Sequence, residues 1–226
     1  MNKQKNFPYD AVRFLSKLKR NNSREWFETN RDEFVSSVLN PAQEFVVVLG
    51  DLLRTIAPGI IAIPKTDKSI FRLHRDVRFS KNKSPYKTNL GIILWEGERK
   101  KMECSGFYFH VEPDYLFLGT GMYMLTDELL KNYRQVVYNP DKAKELDSII
   151  KRLKKKGYSP GGKSYKRVPK GFDTEYPFSD YLLYNGIYVY EENIDLKKLQ
   201  KENILKFTFK KFKEMLPLHQ WLVKNI

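Results

Sequence analysis

Apolar residues at the N-terminal end of the chain recur at helical spacing. Val12, Phe14, Leu15 and Leu18 predict an amphipathic helix over residues 8–20, closed by Asn21-Asn22. Ser23 is positioned to cap a second helix running from Arg24 toward Leu39. Pro41 then kinks that helix or starts a third, whose stripe of Phe45, Leu49, Leu52, Leu53 and Ile56 ends at Pro58-Gly59. Trp26 and Phe27 are expected in the core.

Between residues 70 and 123 the pattern changes. The runs IFRLHRDVRF, GIILW, MECSGFYFHV and YLFLG are rich in aromatic and β-branched residues and read as strands. EGERK and EPD between the last three fit hairpin turns, and links this short join antiparallel neighbours. The expected sheet is an antiparallel meander, since parallel neighbours need long crossovers.

Helical spacing then returns. Thr126 caps DELLKNYRQVVY, and Asn139 caps a helix with Pro140 at its first position, whose buried stripe is Leu146, Ile149, Ile150 and Leu153, with Gly157 as its stop. A loop over residues 158–178 precedes a short segment near Tyr181–Leu183, a strand IYVYEE, and helices from Asp195 to the end, interrupted at Pro217. The whole is an α+β fold: a single domain, residues 1–226, with a central antiparallel meander at about 70–123 packed by N-terminal and C-terminal helices. No repeat, low-complexity tract or linker divides it.

Composition adds a folded core and a charge. With 41% hydrophobic and 14% aromatic residues the chain has enough apolar surface to offset ordering entropy. Lys and Arg outnumber Asp and Glu by 41 to 27, a formal charge of +14, which favours nucleic acid or anionic and phosphorylated ligands as partners without choosing among them. No stretch resembles a signal peptide or a membrane span, so a cytoplasmic protein without membrane contact is expected. The single cysteine, Cys104, is expected as a packed thiol.

One segment imitates a nucleotide-binding loop. GYSPGGKS, residues 157–164, matches G-x-x-x-x-G-K-S, but such a loop needs a strand before it and a helix after it, so that backbone N–H groups converge on the phosphates. Here a helix leads in and Pro169 comes too soon for a long helix, so a Gly-rich surface turn is expected instead.

The densest polar chemistry is FRLHRDVRFSKNKSPYKTN, residues 71–89. On a regular strand Arg72, His74, Asp76 and Arg78 share one face, and Phe71, Leu73, Arg75, Val77 and Phe79 the other. Two guanidiniums flanking a His and an Asp can hold a phosphate or carboxylate, unless Asp76 merely neutralises Arg78 or Arg75. The expected ligand-binding set is Arg72, Arg78, Lys81, Lys83, Tyr86 and Lys87. His74 and Asp76 are the catalytic candidates, and Arg75 is a structural residue held by a buried carboxylate or backbone acceptors.

RDVRFSKNKSPYKT, with the earlier FLSKLKRNNSREWFETNR and the later GFYFHVEPDYLFLGTGMY and VPKGF, resembles the bacterial and fungal family labelled domain of unknown function 2461. The resemblance covers nearly the whole chain in order. It implies a stand-alone domain and supplies no catalytic assignment.

The remaining constellations are weaker. His74, His110 and Asp76 could meet Glu103 or Glu112 across strands, but no paired-ligand spacing is present, and no metal site is expected. Ser84 and Ser105 are nucleophiles only beside a base that the sequence does not reveal. Phe107, Tyr108, Phe109, Tyr115 and Phe117 stack on bases if exposed and pack the core if not. The leading expectation is an anionic or phosphorylated ligand on residues 72–88. The alternatives are a phosphoryl or phosphodiester hydrolase using His74 and Asp76, or a protein-interaction module with a basic surface. Cofactor, oligomeric state and whether the chain is an enzyme stay open.

Overall fold

The computed structural model describes residues 6–78, 80–197, 199 and 202–226. Helices α1 (Tyr9–Arg20), α2 (Arg24–Thr29), α3 (Arg31–Phe34) and α4 (Asn40–Arg54) open the chain, and β1 (Ile60–Ile61) comes next. Then come β2 (Leu90–Glu96), β3 (Ser105–Val111), β4 (Leu116–Met122), α5 (Asp127–Tyr138), α6 (Pro140–Lys155), β5 (Ser159–Lys163), β6 (Tyr184–Ile194) and α7 (Ile204–Asn225). The strands form one six-stranded antiparallel sheet in the order β1-β2-β3-β4-β6-β5, and the class is α+β as expected. Among the described residues no helix is long and apolar enough to cross a membrane.

The predicted caps form. Ser23 Oγ accepts from the Trp26 amide, Thr126 from Leu129, and Asn139 Oδ1 from both Asp141 and Lys142, each satisfying donors that helical geometry leaves open. The predicted long second helix breaks at Asn30, whose side-chain amide donates to the Trp26 carbonyl at 2.8 Å and terminates α2. A π-turn over Val35–Leu39 leads into α4, with the Asn40 N–H donating to the Val35 carbonyl. This wider turn comes directly before Pro41, which has no N–H of its own to give. Pro217, expected to interrupt the last helix, lies within an unbroken α7. Phe212, Met215, Leu218, Trp221 and Leu222 are buried around it, and their packing outweighs the roughly 3 kcal/mol a mid-helix proline costs.

Residue contacts group the chain into two compact units, one of segments up to Leu94, Tyr108–Phe117 and Glu192–Phe209, the other of Trp95–Phe107, Leu118–Glu191 and Lys210–Ile226. In the first, an aromatic core joins the N-terminal helices: Phe14 lies 5.7 Å from both Trp26 and Phe34, and Phe45 lies 4.9 Å from Phe7 and Phe109. In the second, Phe107 packs on Phe212 at 5.2 Å and on His219 at 4.6 Å. There the Tyr133 hydroxyl donates to the Tyr181 carbonyl, and the Tyr181 hydroxyl donates to Asp147. Burial with desolvation as the first cause pushes both phenols well above the usual tyrosine range, so they act as neutral donors.

Two expectations about the sheet change. The described residues of 70–80 form no regular strand; isolated bridges, Ile70↔Ile92 and His74↔Tyr86, with a few backbone hydrogen bonds, tie this arm to β2 and the segment before it. Four positions separate Ile70 from His74 but six separate Tyr86 from Ile92, so two extra residues bulge from the second side and the ladder cannot continue. The nucleotide-loop imitation is strand β5, paired antiparallel with β6, rather than a surface turn. Helix α6 leads into it, and the Lys163 ammonium is engaged by Asp180. Its second glycine is required by geometry: Gly162 has φ of 101°, and a Cβ there would sit 2.1 Å from the Gly186 carbonyl oxygen.

Candidate functional site

The 70–89 arm keeps the alternation that a strand would have shown. Arg72, His74, Asp76 and Arg78 are exposed, while Phe71, Leu73, Arg75 and Val77 are half-buried; Phe79 lies outside the described residues. Two backbone hydrogen bonds set this geometry, from Arg75 N–H to the Pro85 carbonyl and from Lys87 N–H to the Leu73 carbonyl, both 2.8 Å. Asn22 clamps the turn from outside, accepting from the Tyr86 N–H at 3.1 Å and donating to the Tyr86 carbonyl at 3.0 Å.

The predicted polar row divides into separate roles. Arg78 grips Asp76 with two guanidinium N–H groups at 3.0 and 2.7 Å, and this hydrogen bonding holds the Asp76 carboxyl down at about 2. Neutralisation of Arg78 by Asp76, one of the two readings of the row, is therefore what this pair does. His74 lies against Tyr86 and Phe27, with ring centroids 5.0 and 6.4 Å away. Among the described residues it makes no hydrogen bond to Asp76. Lys81 is exposed, and the Lys83 ammonium donates to the Val77 carbonyl at 3.0 Å, which stiffens the loop. Tyr86, expected at the ligand, is 2% exposed and stacked on Phe27 at 4.3 Å; its side chain belongs to the core.

What the fold brings together is Arg72, Arg75 and Lys87. Burial first, and then the positive fields of Arg72 and Arg75, hold the Lys87 ammonium below the usual lysine range, with Asp67 opposing. Arg75 was expected to be held by a buried carboxylate or backbone acceptors. It is half-buried, and among the described residues neither it, Arg72 nor Lys87 has a carboxylate within ion-pair distance. The bonds from Arg75 to Pro85 and from Lys87 to Leu73 hold the two sides of the arm together, and both guanidiniums act on the Lys87 ammonium.

A second polar set lies on β3 and the residue just after it, in the same unit. Tyr108, His110 and Glu112 alternate with Phe109 and Val111, so the polar three share the less buried face. The Tyr108 hydroxyl is 2.9 Å from His110 Nδ1, and the Asn89 side-chain amide reaches the same nitrogen at 3.3 Å. His110 Nε2 lies 3.1 Å from Glu112 Oε1, which also accepts from the Tyr115 hydroxyl. Tyr108 and Phe117 are half-buried, whereas Phe107 and Phe109 are core residues, which removes the latter two from any stacking surface. Among the described residues no group of three His, Cys, Asp or Glu side chains could hold a metal ion.

One constellation was not legible beforehand. In the second unit Ser105 Oγ lies 2.9 Å from His219 Nδ1, and His219 Nε2 lies 2.8 Å from Glu96 Oε2. Ser105 is 3% exposed and His219 0%, while the Glu96 side chain keeps 21%, so this serine–histidine–glutamate chain runs from the core to its edge and ties β2, β3 and α7 together. His219 lies more than a hundred positions from both Glu96 and Ser105, and no local spacing signals the pairing. Cys104 is buried as expected, and burial raises its thiol above the usual cysteine range.

The model of one protein family, described as conserved hypothetical protein (DUF2461), matches residues 10–221. No curated protein matches the chain, and no solved structure does.

Proposed function

We propose that this chain, which belongs to the conserved hypothetical protein family DUF2461, binds a phosphorylated or otherwise anionic ligand at Arg72, Arg75 and Lys87. The observation that carries this reading is the fold of the 70–89 arm, whose Arg75–Pro85 and Lys87–Leu73 backbone bonds hold the segment so that Arg72 and Arg75 lie near the Lys87 ammonium. Asp67 opposes the repulsion that Arg72 and Arg75 impose on Lys87, and a bound anion opposes it further. Two guanidiniums suit the geometry of phosphate or carboxylate oxygens, and a lysine adds a point charge. Lys81 on the neighbouring exposed loop widens the attracting field. Arg78 contributes less, because Asp76 already takes two of its donors.

The test is a thermal-shift titration with inorganic phosphate. A ligand that binds only the folded state raises apparent stability by RT ln(1 + [L]/Kd). The melting temperature should rise with phosphate in the wild type, and both Arg72→Ala and Lys87→Met should blunt the rise. Lys163→Ala should leave it unchanged, since Lys163 sits on β5 with Asp180. A wild-type protein indifferent to phosphate, sulfate and nucleotides alike refutes the reading. Steep loss of single-strand binding with salt, with a log–log slope of about −0.7 per phosphate contacted, would identify nucleic acid as the source of the anion.

A further inference from the structure

The polar set on β3 is built as a directional proton path. The Glu112 carboxylate can only accept, so His110 Nε2 carries the proton of the 3.1 Å bond, and in the neutral ring Nδ1 is then the lone-pair nitrogen. Both groups that reach Nδ1 can donate to it: the Tyr108 hydroxyl at 2.9 Å and the Asn89 amide at 3.3 Å. Tyr108 therefore points its proton at His110, and its oxygen can accept another in turn. A carboxylate that orients a histidine, which in turn accepts from a hydroxyl, draws the proton off that hydroxyl and raises the electron density on its oxygen, so the oxygen can take a proton in turn.

This path borders the cationic arm. Asn89 lies two positions after Lys87, and Phe71, which precedes Arg72, packs edge-on against the Tyr108 ring at 5.9 Å. The Tyr108 hydroxyl stands over Gly91, where a Cβ would lie 2.9 Å from it, so the missing side chain is what admits the phenol. His74 and Asp76, by contrast, are separately occupied, with the imidazole on Tyr86 and the carboxylate on Arg78.

We propose that Tyr108, His110 and Glu112 are the acid–base machinery for hydrolysis of a phosphate monoester seated on Arg72, Arg75 and Lys87, an inference that rests on the anion-binding reading above. In this step the oxygen of a water bonds to phosphorus, and its proton passes to the Tyr108 oxygen as the Tyr108 proton passes to His110 Nδ1. The phosphorus–oxygen ester bond breaks with its electron pair leaving on the alkoxide. The imidazolium, held by Glu112, then returns its proton through Tyr108 to the alkoxide, so the relay ends as it began. Arg72, Arg75 and Lys87 stabilise the phosphoryl oxygens throughout.

The experiment measures p-nitrophenyl phosphate turnover beside the phosphate thermal shift on the same preparations. The wild type should turn the ester over. Tyr108→Phe and His110→Gln should each lower kcat by about 10²- to 10⁴-fold while keeping the phosphate-induced shift. Glu112→Gln should retain more activity than either, because it only orients and stabilises His110. Wild-type kcat in Tyr108→Phe or in His110→Gln overturns the relay, as does a wild-type protein that shifts with phosphate but does not turn the ester over. Absence of the shift itself refutes the anion site instead, so the two failures are distinguishable.

Discussion

Replacing His219 by Phe should destabilise the protein by about 2–4 kcal/mol near neutral pH and flatten its stability toward acid. Phe keeps a ring against Phe107, whose centroid is 4.6 Å from that of His219, but offers neither nitrogen. Glu96 accepts from Nε2–H, so Nδ1 accepts the Ser105 hydroxyl proton in the native ring. Losing that acceptor strands a hydroxyl that is 3% exposed, at about 1–3 kcal/mol. The Glu96 side chain retains 21% exposure and stays partly hydrated, so its loss adds only about 1 kcal/mol. That total is a large share of the roughly 5–15 kcal/mol that holds a typical domain together.

The pH dependence has a definite sign. Burial lowers the His219 proton affinity more than Glu96 raises it, so in the fold the ring titrates below the ordinary histidine value of about 6.5. The unfolded chain therefore takes up the proton first as pH falls, and the stability that neutral His219 contributes above that value is lost on the way down to its folded value. His219→Phe removes this share. Urea unfolding monitored by tryptophan fluorescence at about pH 7.5, 6 and 5 measures both effects. A variant within about 0.5 kcal/mol of wild type at the highest pH, with a parallel decline at lower pH, refutes the reasoning.

Other outcomes are set by the same structure. Lys87→Met should raise the urea midpoint slightly without phosphate, because it removes an ammonium that the fold holds below its usual range, and should lower phosphate affinity. Asn22→Ala should cost about 2–3 kcal/mol in urea unfolding, since it leaves both backbone groups of Tyr86 without their partner. Gly162→Ala should lower the melting temperature by at least the equivalent of about 1–3 kcal/mol, the usual range for strained backbone, because φ is 101° and the Gly186 carbonyl blocks the new methyl. Asp76→Asn should strengthen phosphate binding severalfold by releasing Arg78 from its bidentate grip, read in the same thermal-shift titration.

Local periodicity and cap chemistry determined a large part of this protein without any tertiary information. Ser23, Thr126 and Asn139 cap where their side chains meet orphan amides, and the aromatic and β-branched content of MECSGFYFHV marked a strand where β3 runs, although the inward turn of Phe107 and Phe109 was left open. The rejection of the nucleotide loop rested on element order, and helix α6 does lead into it. Even along the 70–78 arm the exposure alternates as on a strand, although the ladder itself fails. What failed locally did so because packing over long sequence distance outweighed local propensity. Pro217 stays helical under a buried face, and GYSPGGKS pairs as a strand because β6 offers it an edge.

The site was half legible for the same reason. Residue types and spacing drew attention to the 71–89 segment, but they could not say that Asp76 would close on Arg78, that Tyr86 would turn into the Phe27 stack, or that Arg75 would join Arg72 and Lys87. Those outcomes depend on the two-residue bulge opposite the arm and on the Asn22 clamp, one displaced by a register shift and the other sixty-four positions away. Ser105 drew attention in the sequence, but its partner His219, and the Glu96 behind it, were not legible, for they meet only when α7 packs on the sheet. A sequence records which groups can donate, accept or carry charge. Which of them meet is decided by where the hydrophobic faces come to rest.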